Sequence, residues 1–206
     1  MGILFHLVLG FVTSFLGTLF PSMLSMTTVK ISIKENKKKA VSFALGVSSI
    51  VIGQAYAAIA FSKLLSTNPE YLTTLQKIGT VVFIGLSIFF FLQAFKSKKT
   101  PQGKKERKVK GFVSGILFSL LNMFAIPFYF GVTSFLVMMH WYEFEPMNNL
   151  SFVFGSALGT FSLLFLYATL AKRIEKRMIW LANQMDLILG IVTALVAIFN
   201  AIDLLR

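Results

Sequence analysis

Residues 10–22 read GFVTSFLGTLFPS and residues 111–123 read GFVSGILFSLLNM. Gly10, Phe11 and Val12 match Gly111, Phe112 and Val113, while Thr13, Leu16, Thr18 and Leu19 match Ser114, Leu117, Ser119 and Leu120. Each run lies inside a longer stretch that is apolar and almost free of charge. Six such stretches occur, near residues 3–29, 40–62, 75–95, 111–137, 150–171 and 180–202. Each is long enough to cross a hydrocarbon core of roughly 30 Å, which takes about 20 helical residues. Backbone in lipid must satisfy its own hydrogen bonds, so the expected fold is an all-α membrane protein with six transmembrane helices.

The repetition extends beyond the first pair. SFALG at 42–46 parallels SFVFG at 151–155, so the second stretch echoes the fifth as the first echoes the fourth. The halves are offset by three crossings, and matched helices therefore run in opposite directions through the bilayer. Two inverted three-helix repeats are expected within one polytopic domain over 1–206: repeat 1 about 1–96, a basic linker at 97–110 and repeat 2 about 111–206. Inverted repeats of this kind build secondary transporters, with the binding site where the repeats meet near the midplane.

Composition points the same way. The chain is 56% hydrophobic and holds 23 phenylalanines, more than the interior of a soluble 206-residue domain would accommodate. With no cysteine, disulfide, thiol-redox and thiolate-metal chemistry are excluded. The first stretch lacks a preceding basic segment and is long for a signal core, so it reads as a retained helix.

The net charge of +12 would suit nucleic acid if it were spread over a surface. It is not. The runs Lys30–Lys39, Lys96–Lys110 and Lys172–Arg177 hold 17 of the 20 basic residues against three acids, Glu35, Glu106 and Glu175. These are alternate connections, so the positive-inside rule makes them cytoplasmic and puts both termini outside. Anionic lipid headgroups are the partner such runs imply, and no nucleic acid. Residues 97–109, with Pro101 and Gly103, read as a solvated linker.

Polar residues inside the stretches locate the candidate site. Pro21 is surrounded by Ser22, Ser25, Thr27 and Thr28, and the fourth stretch carries Asn122 and Pro127. A proline inside a helix frees the carbonyl four residues earlier, here of Gly17 and Met123. Two readings stand: a pathway in which freed carbonyls bind a polar solute, or plain kinks relieved by neighbouring hydroxyls. Gln54, midway along the second stretch, should face the bundle, either as an interhelical hydrogen bond or as a substrate contact. Asp186 is an intramembrane acid on the cytoplasmic side; it suits a proton or amine contact, or stabilises a helix N-terminus through the dipole. His6 and His140 read as solvated or interfacial, and Trp141, Tyr142 and Trp180 as aromatic-belt anchors.

The segment LFPSMLSMT at 19–27, the basic loop after it, Gly46, the basic linker after the third stretch and GFVSGILFSLLN opening the fourth resemble the LysE/RhtB family of small bacterial amino-acid exporters. The six-stretch layout extends the resemblance over essentially the whole chain. The family typically shows Pro-Gly-Pro or Pro-Gly-Met followed by asparagine in its first helix, and Leu-Asn-Pro in its fourth. Pro21, Met23, Leu121 and Asn122 fit, whereas Ser22 replaces the glycine, Ser25 stands where asparagine is common and Met123 replaces the second proline.

No zinc-binding His/Glu spacing, phosphate loop or pair of intramembrane carboxylates is present, so no enzyme is expected. No cofactor is expected either. The resemblance implies a multi-pass secondary transporter of the bacterial inner membrane, exporting amino acids or similar small metabolites. Pro21, Ser22, Ser25, Gln54, Asn122 and Pro127 would line its pathway, with Asp186 as proton or amine contact and no metal site. A homo-oligomer is compatible with the sequence. The alternatives are a non-transporting membrane scaffold, and a metal-ion transporter of the wider superfamily, which would want acids and histidines in the first, second and fourth stretches.

Overall fold

Every described element of the computed structural model is a helix: α1 (Ile3–Thr18), α2 (Met23–Lys34), α3 (Lys37–Thr67), α4 (Phe112–Leu120), α5 (Ala125–Met138) and α6 (Pro146–Leu204). The structure describes residues 2–19, 22–68, 84, 85, 87, 88, 91, 92, 111–122 and 124–204; in α6, side chains are described through Arg177 and at six later positions. Most of the crossing expected at 75–95 and all of the linker 97–110 lie outside these residues.

Two helices, α3 and the Pro146–Arg177 part of α6, are individually long and apolar enough to cross a membrane. The first and fourth stretches are each divided instead. The α1–α2 pair bends by 75° and the α4–α5 pair by 67°, and each pair passes the same test only when taken together. At 1.5 Å per residue, α1 is about 24 Å long and α4 about 14 Å, both short of the hydrocarbon core. Neither could cross a hydrocarbon core on its own.

Local sequence explains the other boundaries. Asn36 caps α3, its Oδ1 accepting the Lys39 N–H at 2.9 Å. Gly111 opens α4 at φ +47°, backbone that favours glycine. At the end of α5, His140 adopts φ 58°, and the N–H groups of His140 and Trp141 return to the carbonyls of Val137 and Leu136. That is a Schellman cap with a histidine in the usual glycine position.

The connection expected at 172–177 between two crossings is helical instead, within α6. The reason is chemical: no glycine or proline occurs between Gly159 and Gly190, and KRIEKR consists of residues that favour helix.

The chain forms two compact units, residues 1–64 with 108–176 and residues 65–107 with 177–206. In the second, Ser87 donates to the Gly190 carbonyl at 3.2 Å and the Phe91 ring packs over Gly190. In the first, Val51, Ala55 and Ile59 of α3, Ala125, Tyr129 and Leu136 of α5, and Phe152 and Val153 of α6 form the core.

Glycines set the closest approaches in this unit. The space beside Gly155 is filled by the Leu7 carbonyl and the Phe11 N–H, that beside Gly159 by the Phe11 carbonyl, and that beside Gly10 by the Phe152 carbonyl. Thus α1 crosses α6 backbone to backbone. The other pair repeats the arrangement: the Phe112 carbonyl and Ile116 N–H fill the space beside Gly46, and the Phe43 carbonyl that beside Gly115, so α4 crosses α3. Small residues at such positions let membrane helices gain dispersion contacts that side chains would prevent. The contacts pair Gly10 with Gly115, one helical turn beyond the Gly111 that matches it in sequence.

His6 is not solvated. It is 1% exposed, with Nδ1 3.2 Å from the Gly2 carbonyl and its ring edge-on to Tyr142. Nor is Tyr142 a belt residue: it is buried, donates to Asn149 Oδ1 at 2.9 Å, and has its phenol pKa pushed up by burial. Both are drawn inward because residues 141–145 fold against α1 and α6, where Phe152 also packs on Tyr142. Trp141 is exposed, as an anchor requires, and the Trp180 side chain lies outside the described residues.

Candidate functional site

The two helix breaks expose the ends of four helices, and their hydrogen bonds define the site. At the first, α1 stops at Thr18, and Leu19 N–H closes a tight last turn on Leu16 at 3.1 Å. Ser22 begins α2 as its N-cap, accepting from Ser25 N–H at 3.4 Å. The fully buried Ser25 hydroxyl reaches back to the Thr18 carbonyl at 3.4 Å, and the Tyr167 hydroxyl, from α6, donates to the Leu19 carbonyl at 2.6 Å. Pro21 lies outside the described residues. At this break the carbonyls of Thr18 and Leu19 accept from these side chains, and the Gly17 carbonyl is also among those a helix ending at Thr18 leaves without an intrahelical donor.

At the second break α4 stops at Leu120. Asn122 bridges the gap, its N–H donating to the Ser119 carbonyl at 3.0 Å and its carbonyl accepting from Ala125 at 3.3 Å. Gln54 reaches over from α3 and donates through Nε2 to the same Ser119 carbonyl at 2.9 Å, while the Ser119 hydroxyl donates to the Val47 carbonyl at 3.3 Å. Pro127 corrects an expectation: it stands in the first turn of α5, not inside a continuous helix. There its missing N–H is one that no helix would use. The interruption comes before it, at 121–124, and Met123 lies outside the described residues.

The breaks are neighbours. The ring of Phe128, in the first turn of α5, occupies the space beside Gly17 near the end of α1. One turn earlier the Ser14 hydroxyl bonds both Tyr129 Oη at 2.7 Å and Thr160 Oγ1 at 2.6 Å, tying α1 to α5 and α6. All three side chains are at most 4% exposed. α2 also packs against α4. Two C-terminal ends, carrying partial negative charge, thus meet two N-terminal ends carrying partial positive charge.

Of the residues singled out from sequence, Ser22 and Ser25 meet at one break and Asn122 and Pro127 at the other, with Gln54 spanning to the second. Tyr167, Ser119, Ser14, Tyr129 and Thr160 were not singled out. Ser14 and Thr160 carry one available signal, a hydroxyl one turn after Gly10 and one residue after Gly159. The Asp186 backbone lies within α6 and its side chain outside the described residues. Because α6 has no terminus near it, the helix-dipole role for Asp186 loses its premise. Among the described residues no group of three His, Asp or Glu side chains is placed to hold a metal ion.

A family model described as LysE type translocator matches residues 15–205. No curated protein and no solved structure matches the chain.

Proposed function

The chain belongs to the LysE type translocator family, and on that premise we propose that this membrane transporter is a secondary exporter of amino acids or similar zwitterionic metabolites across the bacterial inner membrane. The observation that carries the proposal is the meeting of four helix ends. Carbonyl ends suit an ammonium group and N–H ends a carboxylate, so one zwitterion can engage both. Pro21, Ser22, Ser25, Gln54, Asn122 and Pro127 line this pathway, and Asp186 serves as proton or amine contact. Two inverted repeats are part of the same reading, built on the two bent pairs, α3 and the Pro146–Arg177 crossing. Its support is the equivalence of the glycine crossings, Gly10 and Gly155 on one side with Gly115 and Gly46 on the other, together with two bends of similar size.

Cells loaded with dipeptides and screened across amino acids test the activity. Ser25→Ala and Asn122→Ala should each cut efflux several-fold at near-normal membrane abundance, since each removes a single hydrogen-bonding side chain at a cost on the order of 1 kcal/mol. A variant that instead vanishes from the membrane with unchanged specific activity would mark its residue as structural.

Orientation has its own test. Cysteines placed at Lys37, Lys104 and Lys176 should resist a membrane-impermeant thiol reagent in intact cells, because the basic runs stay cytoplasmic. Labelling at all three would reverse the topology.

One observation favours a second reading, a non-transporting scaffold. The carbonyls of Thr18, Leu19 and Ser119 already accept from Ser25, Tyr167 and Gln54, so the polar faces are paired without a solute. Reconstituted vesicles that move none of the screened amino acids, with or without a pH gradient, would decide for it.

A further inference from the structure

We propose that Gln54 and the C-terminal end of α4 form an ammonium subsite, which takes the amine end of a small aliphatic ligand and does not read its carboxylate. The proposal rests on the transport reading and specifies the chemistry of the same site. Gln54 is 8% exposed, yet only half of its carboxamide is used. Nε2 donates to the Ser119 carbonyl, while Oε1 is buried with no hydrogen-bond partner among the described residues. The Ser119 carbonyl fixes this orientation, since turning Oε1 towards it would oppose two acceptors. A buried acceptor without a donor is costly, which makes Gln54 a poor choice as a purely structural residue.

A primary ammonium removes the mismatch. It can take the place of Nε2 on the Ser119 carbonyl while the carboxamide turns about its soft terminal torsion and presents Oε1 to a second N–H. Both new bonds are charge-assisted, and the cation lies at the negative end of the α4 dipole. In the empty protein, Gln54 Nε2 therefore stands in for the ligand's own ammonium. Beside it a groove of about 250 Å³ is lined by Ser49, Ile50, Gly53, Ala57, Leu120 and Ile126. Those side chains are apolar apart from one serine, and none is charged. The groove accommodates a short hydrocarbon body and penalises a second charge.

Binding to the full-length protein in lipid nanodiscs tests this with 3-methylbutylamine, which is protonated at neutral pH, and 4-methylpentanoate, which offers only a carboxylate. The amine should bind and the carboxylate should not. Gln54→Leu should weaken amine binding at least tenfold, and the near-isosteric Gln54→Glu, which adds an anionic acceptor, should strengthen it. Equal binding of both probes would mean that the groove reads hydrocarbon alone, as for a lipid chain, and would overturn the subsite. So would amine binding indifferent to both variants. If 3-methylbutylamine binds in a Gln54-dependent manner to a protein that exports nothing, the subsite stands and the transport reading falls. Undiminished efflux in Gln54→Leu would leave transport standing and remove the subsite.

Discussion

Leucine at Gly155 or Gly46 is expected to remove most of the folded protein from the membrane. In both places a side chain would have to enter space held by a backbone carbonyl, of Leu7 or of Phe112. Backbone cannot rotate aside as a side chain can, so α1 must separate from α6, or α4 from α3. Overpacking typically costs about 1–3 kcal/mol even in cores that can adjust. Here the separation also endangers hydrogen bonds that depend on it: Ser14 with Thr160 at one crossing, Ser119 with Val47 and Gln54 at the other. Thermal unfolding in detergent, followed by size exclusion, provides the measurement. Gly131→Leu is the control, because nothing lies within 4 Å of the position its Cβ would take. Equal loss of melting temperature in all three variants would show that the crossings matter no more than any other helix surface.

The second large effect is expected at Asp186. With α6 continuous from Pro146 to Leu204, Asp186 does not stand at the start of its own helix. On the proposed reading it is a group exchanging a proton, or holding an amine, during the cycle. In proteoliposomes Asp186→Asn should abolish acceleration of efflux by an imposed pH gradient while sparing exchange between equal pools of substrate. Asparagine nearly preserves shape and cannot carry a proton, so the two rates separate coupling from binding. Unchanged gradient dependence in a well-expressed variant would remove Asp186 from the coupling step.

Hydropathy is a property of composition, which is why the apolar stretches at 40–62 and 150–171 correspond so directly to long helices. It cannot locate a bend inside an apolar run. Nothing in the hydropathy of 111–137 distinguishes one straight helix from α4 and α5; the cues are the polar Asn122 and the proline that follows, and Pro127 suggested an interior kink where the chain uses it to start a helix. Between 172 and 177 the opposite happened. Clustered charge suggested a connection, whereas residues that favour helix carry α6 through it. The candidate residues close to the breaks could be read because serine, asparagine and proline are conspicuous in an apolar background. Tyr167 could not: its hydroxyl matters only because α6 passes the end of α1, a contact 148 residues apart in sequence. His6 was misplaced for the same reason, since its burial depends on the remote Tyr142.

The glycine crossings impose an order on biogenesis. α3 and α4 are separated by a modest length of chain, so their crossing is available soon after Gly115 is synthesised. α1 is made before either of them yet must wait for Gly155 and Gly159, roughly 145 residues later. At ribosomal speeds of about 5–20 residues per second the delay is about 7–30 s. Until residue 129 is made the Ser14 hydroxyl has neither Tyr129 nor Thr160 as a partner, and until residues 155–160 are made Gly10 and Ser14 still lack the surface of α6. α1 thus waits longer for its glycine crossing than α4 does, and a nascent chain stalled before residue 155 would expose the surface that later meets α6.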